Sequence, residues 1–350
     1  MAEVELRGIT KRFGNKTALE SASFEIKDGE FFVLLGPTGA GKTTSLRVIA
    51  GLEKQESGNV LLNGQIADAL TPADRDVAFV FQQYSLYPTM TVYDNLAFPL
   101  RSPLRKTSEP EVKQRIEATA EKLRITHLLT RKTAHLSGGE MQRVSIGRAI
   151  VRTPQVFLMD EPLSNLDAKL RESLRVELKH IQKTQHSTTL FVTHDQVEAL
   201  TMADRIAIMR EGQVVQVGTP QDIYDRPSNT FVAQLVGSPR INLLNAAIDS
   251  GALVVPQTPI RFAIGNRPSG QVLVGIRPED IVPHAQGEFK GEVSLVEPLG
   301  VETVLHIKTG SQVLVSVVAG ISHYQRGSAV NFNINRDQLH FFDSTGQRTG

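Results

Sequence analysis

The sequence predicts an α/β fold, a mostly parallel sheet with crossover helices, followed by a smaller all-β domain. Three observations carry this. Short apolar runs alternate with helix-length segments over residues 1–240. The helical periodicities then stop, and short alternating segments punctuated by Gly and Pro take over. Finally, 350 residues at about 150 per domain leave room for one large domain and one smaller one.

Phe31 to Leu35 is a continuous apolar strand, as expected in a sheet covered on both faces. A glycine-rich stretch follows, and Thr43 to Leu52 reads as a helix. Asp76 to Phe81 is another short apolar strand. Glu111 to Leu129 is helical in period, with Val112, Ile116, Ala120 and Leu123 on one face. Val156 to Met159 is a buried strand. Lys169 to Ile181 is a helix, with Leu170, Leu174, Leu178 and Ile181 on one face. Leu190 to Val192 and Ile206 to Met209 complete the strands. Beyond residue 240, Val301, Thr303, Leu305 and Ile307 alternate with polar partners. Val272, Val274 and Ile276 do the same, and Gln312 to Val318 is a further strand. A small barrel or sandwich follows from these pieces. The boundary is expected near Gly237-Ser238-Pro239, giving domains 1–237 and 238–350, and the tail Ser344 to Gly350 is expected to fray.

Composition excludes several chemistries. The chain has no Cys, so disulfides, thiolate nucleophiles and Cys-ligated metals are out. Its net charge is +1, which argues against a chain built mainly to coat nucleic acid or anionic lipid. Met1-Ala2-Glu3-Val4-Glu5 offers no basic region before an apolar stretch, so no signal peptide is expected. No apolar run approaches the roughly 18 residues of a spanning helix.

Gly36-Pro37-Thr38-Gly39-Ala40-Gly41-Lys42-Thr43 fits G-x-x-x-x-G-K-[ST] in full, between a strand and a helix. The glycines let backbone N–H groups wrap a phosphate, and the helix N-terminus favours its charge. Lys42 should reach the β- and γ-phosphates and the Thr43 hydroxyl should ligate Mg²⁺, with Thr44 extending the set. Val156 to Met159 ends in Asp160-Glu161. Asp160 can hold Mg²⁺, and Glu161 can polarise the attacking water as a general base.

Leu136-Ser137-Gly138-Gly139-Glu140-Met141-Gln142-Arg143 resembles the signature motif of the ATP-binding cassette (ABC) ATPases. Physically it is a serine-capped helix start with exposed amides. The resemblance implies a P-loop cassette with a helical subdomain over about residues 88–155, and two copies packed head to tail. In that arrangement Leu136, Ser137, Gly138, Gly139, Glu140 and Gln142 close over ATP held by the other copy. Phe13 then resembles the aromatic that stacks on adenine. Gln82 resembles the glutamine that senses Mg²⁺ and water. Ser164, Leu166 and Asp167 resemble the loop that crosses the dimer interface. His194 resembles the switch histidine that contacts the γ-phosphate and steadies Glu161.

The stretches Gln82 to Val92, Leu163 to Arg171 and Thr193 to Ala199 are close to the branch that imports sugars, polyols and sugar or glycerol phosphates. Residues 240–350 resemble its C-terminal accessory domain, an oligonucleotide-fold (OB-like, TOBE/MOP-type) barrel, most clearly at Gly275-Ile276-Arg277-Pro278-Glu279. The polar insert Arg101 to Pro110 departs slightly from the common form and is given no chemistry. The resemblance implies ATP and Mg²⁺ as ligands. It also implies a homodimer or heterodimer of ATPases, two transmembrane permease subunits and an extracytoplasmic solute-binding protein, at the cytoplasmic face of the membrane. No nucleic acid is expected. The rival reading is a soluble cassette working on nucleic acid or the ribosome through its barrel. Against it, the barrel lacks a dense basic patch with interleaved aromatics, and no long coiled coil interrupts the ATPase. A metabolite sensor is a third reading, and it leaves an intact hydrolytic set unexplained. The solute itself is not encoded in the engine.

Overall fold

The structure is a computed structural model that describes residues 2–102, 107–265, 267–321 and 323–349. The chain divides into two compact units, Met1–Pro220 and Gln221–Gly350.

The first unit runs β1 (Val4–Phe13), β2 (Lys16–Ile26), β3 (Phe31–Leu35), α1 (Lys42–Ile49), β4 (Ser57–Leu62), β5 (Gln65–Ile66) and β6 (Val77–Val80). It continues with α2 (Val92–Ala97), α3 (Glu109–Lys122), α4 (Gly138–Ile150), β7 (Val156–Asp160) and α5 (Ala168–Gln185). It ends with β8 (Thr188–Thr193), α6 (Gln196–Met202), β9 (Arg205–Arg210) and β10 (Gln213–Gly218). A six-stranded sheet has the order β10-β9-β3-β8-β7-β6. Its pairs β3–β8, β3–β9, β7–β8 and β6–β7 are parallel. Every residue of β3, β7 and β8 is buried, as the continuous apolar runs require. Each such Phe, Leu or Val contributes about 1.5–3 kcal/mol by leaving water.

A second, antiparallel sheet of order β2-β1-β4-β5 was not foreseen. Val4, Leu6 and Ile9 of β1 and Leu19, Ala22, Phe24 and Ile26 of β2 turn inward to a shared core. Phe24 stacks on Phe32 of β3 with ring centroids 5.4 Å apart.

Helix limits differ from expectation where the backbone turns left-handed. The helix expected to reach Leu129 ends at Lys122, because Arg124 has φ 53° and a short 3₁₀ turn, Thr126–Leu128, follows. Helix α1 stops at Ile49, two residues before Gly51 at φ 74°. Helix α5 is longer than expected, capped by Asp167 at its start and closed by His186 in the left-handed region. Of the insert Arg101 to Pro110, residues 103–106 lie outside the described residues. At its edges, the Arg101 guanidinium pairs with Glu109 at 2.8 Å, and Pro110 sits in the first turn of α3.

The second unit holds α7 (Pro220–Asp225), which begins at the division, and α8 (Thr230–Leu235). Its strands are β11 (Asn242–Asp249), β12 (Ala252–Val254), β13 (Arg261–Ala263), β14 (Gly270–Ile276) and β15 (Ile281–Pro283). They continue with β16 (Phe289–Pro298), β17 (Glu302–Thr309), β18 (Gln312–Ala319), β19 (Ala329–Ile334) and β20 (His340–Phe342). Two antiparallel five-stranded sheets, β13-β12-β11-β14-β20 and β15-β19-β16-β17-β18, enclose one core that includes Phe262, Phe289 and Phe332.

The division at 220/221 moves residues 221–237 from the expected first domain into the β unit. The buried Arg277 explains it. Its guanidinium donates to the carbonyls of Tyr224, Ala233 and Val236, at 2.9, 3.1 and 2.5 Å. The tail also differs from expectation. Gly346 O accepts from Thr230 N–H, and Arg348 N–H donates to Ser228 O.

Candidate active site

The phosphate loop joins β3 to α1. Gly41 has φ 102°, and a Cβ there would fall 2.6 Å from Ala18 O, so only glycine fits. Lys42 opens α1 and is buried. Its Nζ donates to Gly36 O at 2.8 Å and Pro37 O at 3.1 Å, and lies 3.9 Å from Glu161 Oε1. Burial pushes the Lys42 pKa down, while Glu161 and Asp160 act in the opposite direction.

The Thr43 hydroxyl donates to Asp160 Oδ1 at 2.9 Å. Asp160 closes β7 and is buried. That burial pushes its carboxyl pKa up, against the Thr43 hydrogen bond. A hydroxyl beside a carboxylate that is costly to ionise suits a hard divalent cation, whose charge would offset the burial. Among the described residues no group of three or more His, Asp or Glu could hold a metal alone. A pair of protein oxygens completed by phosphate is the usual pattern for Mg²⁺.

Glu161 has φ 44°, and its N–H donates to Val192 O at 3.0 Å. This left-handed turn at the end of β7 swings its carboxylate toward β8. There Oε2 lies 3.0 Å from His194 Nδ1 and accepts from Gln82 Nε2 at 3.3 Å. Ser164 Oγ donates to Glu161 O at 3.0 Å, so the following loop is tied to the same residue. Phe13, 47% exposed, ends β1 with Lys11 Nζ 4.9 Å from its ring centre.

A cleft of about 520 Å³ brings together Phe13, Thr38, Gly39, Gly41, Lys42, Thr43, Thr44, Gln82, Glu161 and His194. This is within the usual size of a small-molecule site. Lys16 and Ala18 also line it. They were missed, although the hairpin sets Lys16 directly opposite Phe13.

The signature residues are not in this cleft. Ser137 caps α4 in a reciprocal box. Its Oγ accepts from Glu140 N–H at 3.4 Å, and Glu140 Oε2 accepts from Ser137 N–H at 2.7 Å. Ser137, Gly138, Gly139 and Glu140 line a separate cleft of about 490 Å³ with Leu166, Asp167, Arg124, His127 and Arg143. Leu136 and Gln142 are buried and line neither cleft. A third groove, of about 370 Å³, is edged by Leu52, Phe79, Phe81, Tyr87 and Phe98 with Arg148.

A family model described as ABC transporter matches residues 19–164, and one described as TOBE domain matches residues 274–342. The trehalose/maltose import ATP-binding protein MalK of Thermococcus litoralis is 47% identical, covering 99% of this chain and 98% of its own length. The chain belongs to the ATP-binding subunits of ABC transporters. The sn-glycerol-3-phosphate import ATP-binding protein UgpC of Ruegeria sp. is 44% identical over 99% of both chains. A dimeric ATP-binding cassette solved in a post-hydrolysis state with ADP and phosphate is 31% identical, with TM-score 0.57. It covers 62% of this chain and 98% of its own. As an ABC ATPase, this subunit binds and hydrolyses ATP with Mg²⁺. No helix among the described residues is long and apolar enough to cross a membrane.

Proposed function

We propose that this ABC ATPase energises import of a sugar, polyol or glycerol phosphate, and that the 520 Å³ cleft is its hydrolytic site. The observation that carries the site reading is convergence. The buried Lys42, the neighbouring Thr43 and the Glu161–His194 pair come from three separate segments and line one cleft, and Thr43 is hydrogen-bonded to Asp160.

Lys42 would exchange its contacts with the Gly36 and Pro37 carbonyls for the β- and γ-phosphates. Thr43, Asp160 and Gln82 would hold Mg²⁺, which supplies charge neutralisation on the phosphates. Glu161 takes a proton from the attacking water as that oxygen bonds to the γ-phosphorus, and the bond to the ADP oxygen breaks. His194 holds the Glu161 carboxylate in line and reaches the γ-phosphate. Phe13 offers the exposed face on which adenine stacks.

The signature cleft shares no lining residue with the phosphate-loop cleft, which supports a head-to-tail pair of ATPases. Ser137 to Glu140 and the loop Ser164, Leu166 and Asp167 then complete the partner's site. The apolar groove at Tyr87 and Phe98 is where a permease segment docks, with the subunit on the cytoplasmic face of the membrane and a solute-binding protein across it. A helical subdomain over about 88–155 belongs to the same reading.

The relatives named above import trehalose, maltose and sn-glycerol-3-phosphate, and none favours the nucleic-acid reading. Uptake of these three labelled solutes in a strain lacking the gene tests the proposal. Loss of one uptake, restored by the wild-type chain and not by Glu161→Gln, is expected. Unchanged uptake of all three overturns the solute class.

A further inference from the structure

One buried ionisable group beside the site has no part in the scheme above. Glu198 lies on α6 and is 3% exposed. Its Oε2 accepts from Thr193 Oγ1 at 2.6 Å. The same Thr193 oxygen accepts from Asp195 N–H at 2.9 Å. The residues on either side of His194 are therefore joined through one hydroxyl, and Glu198 orients that hydroxyl.

The neighbouring groups reinforce this frame. Asp195 Oδ1 accepts from the N–H groups of Val197 and Glu198, at 2.7 and 3.3 Å. Its other oxygen lies 3.6 Å from Arg171 Nη1. A small cavity of about 30 Å³ has Glu161, Thr193 and Glu198 among its walls, enough space for one water. Burial pushes the Glu198 carboxyl pKa up. The Thr193 hydrogen bond opposes this, Asp195 adds to it, and Arg171 and His194 also oppose it. A buried carboxyl is costly, and an apolar residue of similar size would pack there with less penalty.

The His194 side chain is 54% exposed, so packing alone does little to fix its ring. The aim of Nδ1 at Glu161 depends on the backbone that carries it. We infer that Glu198 is a positioning residue for ATP hydrolysis, acting through Thr193 to keep His194 Nδ1 on the Glu161 carboxylate. The inference rests on the reading of Glu161 and His194 given above.

The test uses the full chain, with steady-state ATPase kinetics and binding of a fluorescent ATP analogue. Glu198→Leu keeps the volume and removes the acceptor. It is expected to lower kcat about 10-fold or more, with nucleotide affinity within about twofold, because small misplacements of a positioned group can cost up to about 100-fold. Glu198→Gln keeps an acceptor oxygen and should recover most of that loss. Thr193→Val should reproduce the defect. The double variant Glu198→Leu, His194→Ala should be no slower than His194→Ala alone, since both act through one ring.

Wild-type kcat in Glu198→Leu, or full additivity with His194→Ala, overturns the inference. If Glu198→Leu does not fold, Thr193→Val with and without His194→Ala decides on the same criteria. Undiminished hydrolysis by Glu161→Gln and His194→Ala would instead overturn the underlying site reading.

Discussion

Glu161 Oε2 lies 3.0 Å from His194 Nδ1, although 33 residues separate them in the chain. The contact exists because β7 and β8 are parallel neighbours and Glu161 turns left-handed as β7 ends. It places a carboxylate, rather than a hydroxyl or amide, against the ring.

That choice sets the first expectation. Glu161→Gln is nearly isosteric and removes the basic oxygen. Hydrolysis should fall about 100- to 10,000-fold, the range for losing a general base. Nucleotide affinity should change little, because Lys42 and the loop amides remain. Single-turnover hydrolysis beside equilibrium ATP binding separates the two. Equal loss of binding and turnover would mean that Glu161 holds the nucleotide and does not activate water.

Gly139 supplies the second. A Cβ there would lie 2.2 Å from Leu170 Cδ2. Leu170 is half-buried and Cδ2 is the free end of its side chain, so Gly139→Ala should displace that side chain rather than the helix and cost no more than about 1 kcal/mol. Leu170→Ala opens the space, so Gly139→Ala should be less harmful in that background. A thermal or urea double-mutant cycle measures the coupling. Strict additivity would show that the Leu170 side chain yields without strain.

The phosphate loop and Asp160-Glu161 were legible in sequence because each is a local spacing set between a strand and a helix. The Thr193–Glu198 bond was not, since a Thr and a Glu five residues apart are ordinary at a strand–helix junction. The antiparallel sheet of β1, β2, β4 and β5 escaped for another reason. Irregular register between Leu6 and Ile9, and again between Ile9 and Arg12, breaks the alternation that marks a strand. The end of α3 was hidden because Leu123 and Ile125 carry apolar burial past it, while Arg124 turns the backbone. Residues 221–237 read as part of the first domain because the boundary is expected near Gly237-Ser238-Pro239. Only the folded chain reveals that Arg277, about 40–50 residues later, holds their carbonyls.

Arg277 makes a third expectation. Its charge is buried over the Tyr224 ring, 4.0 Å from the ring centre, with three carbonyls as acceptors. Arg277→Met fills a similar volume and leaves those carbonyls without their donor. The β unit should lose about 2–4 kcal/mol. Calorimetry of the full chain should show the loss as a lowered transition, with ATP affinity unchanged. Wild-type melting would mean that α7 and α8 are held by apolar packing alone.

His340 makes the last. It opens β20, is buried, and its Nδ1 has no hydrogen-bond partner. Burial, followed by the charges of Arg277 and Arg348, pushes its pKa down to about 4, with Asp225 acting weakly the other way. The unfolded chain, with a histidine pKa near 6.5, therefore takes up the proton first as pH falls. Stability from this residue is complete above about pH 6.5 and is lost progressively as pH falls to about 4, on the order of 3 kcal/mol in all. His340→Phe removes the titration and keeps the bulk. Chemical denaturation at pH 7.5 and pH 4.5 should show a smaller pH dependence in the variant than in the wild type. An equal fall in both would place the acid sensitivity on other groups, with the buried Asp280 carboxyl excluded as its source. Burial raises that pKa, so Asp280 is protonated more readily in the folded state and favours folding as pH falls.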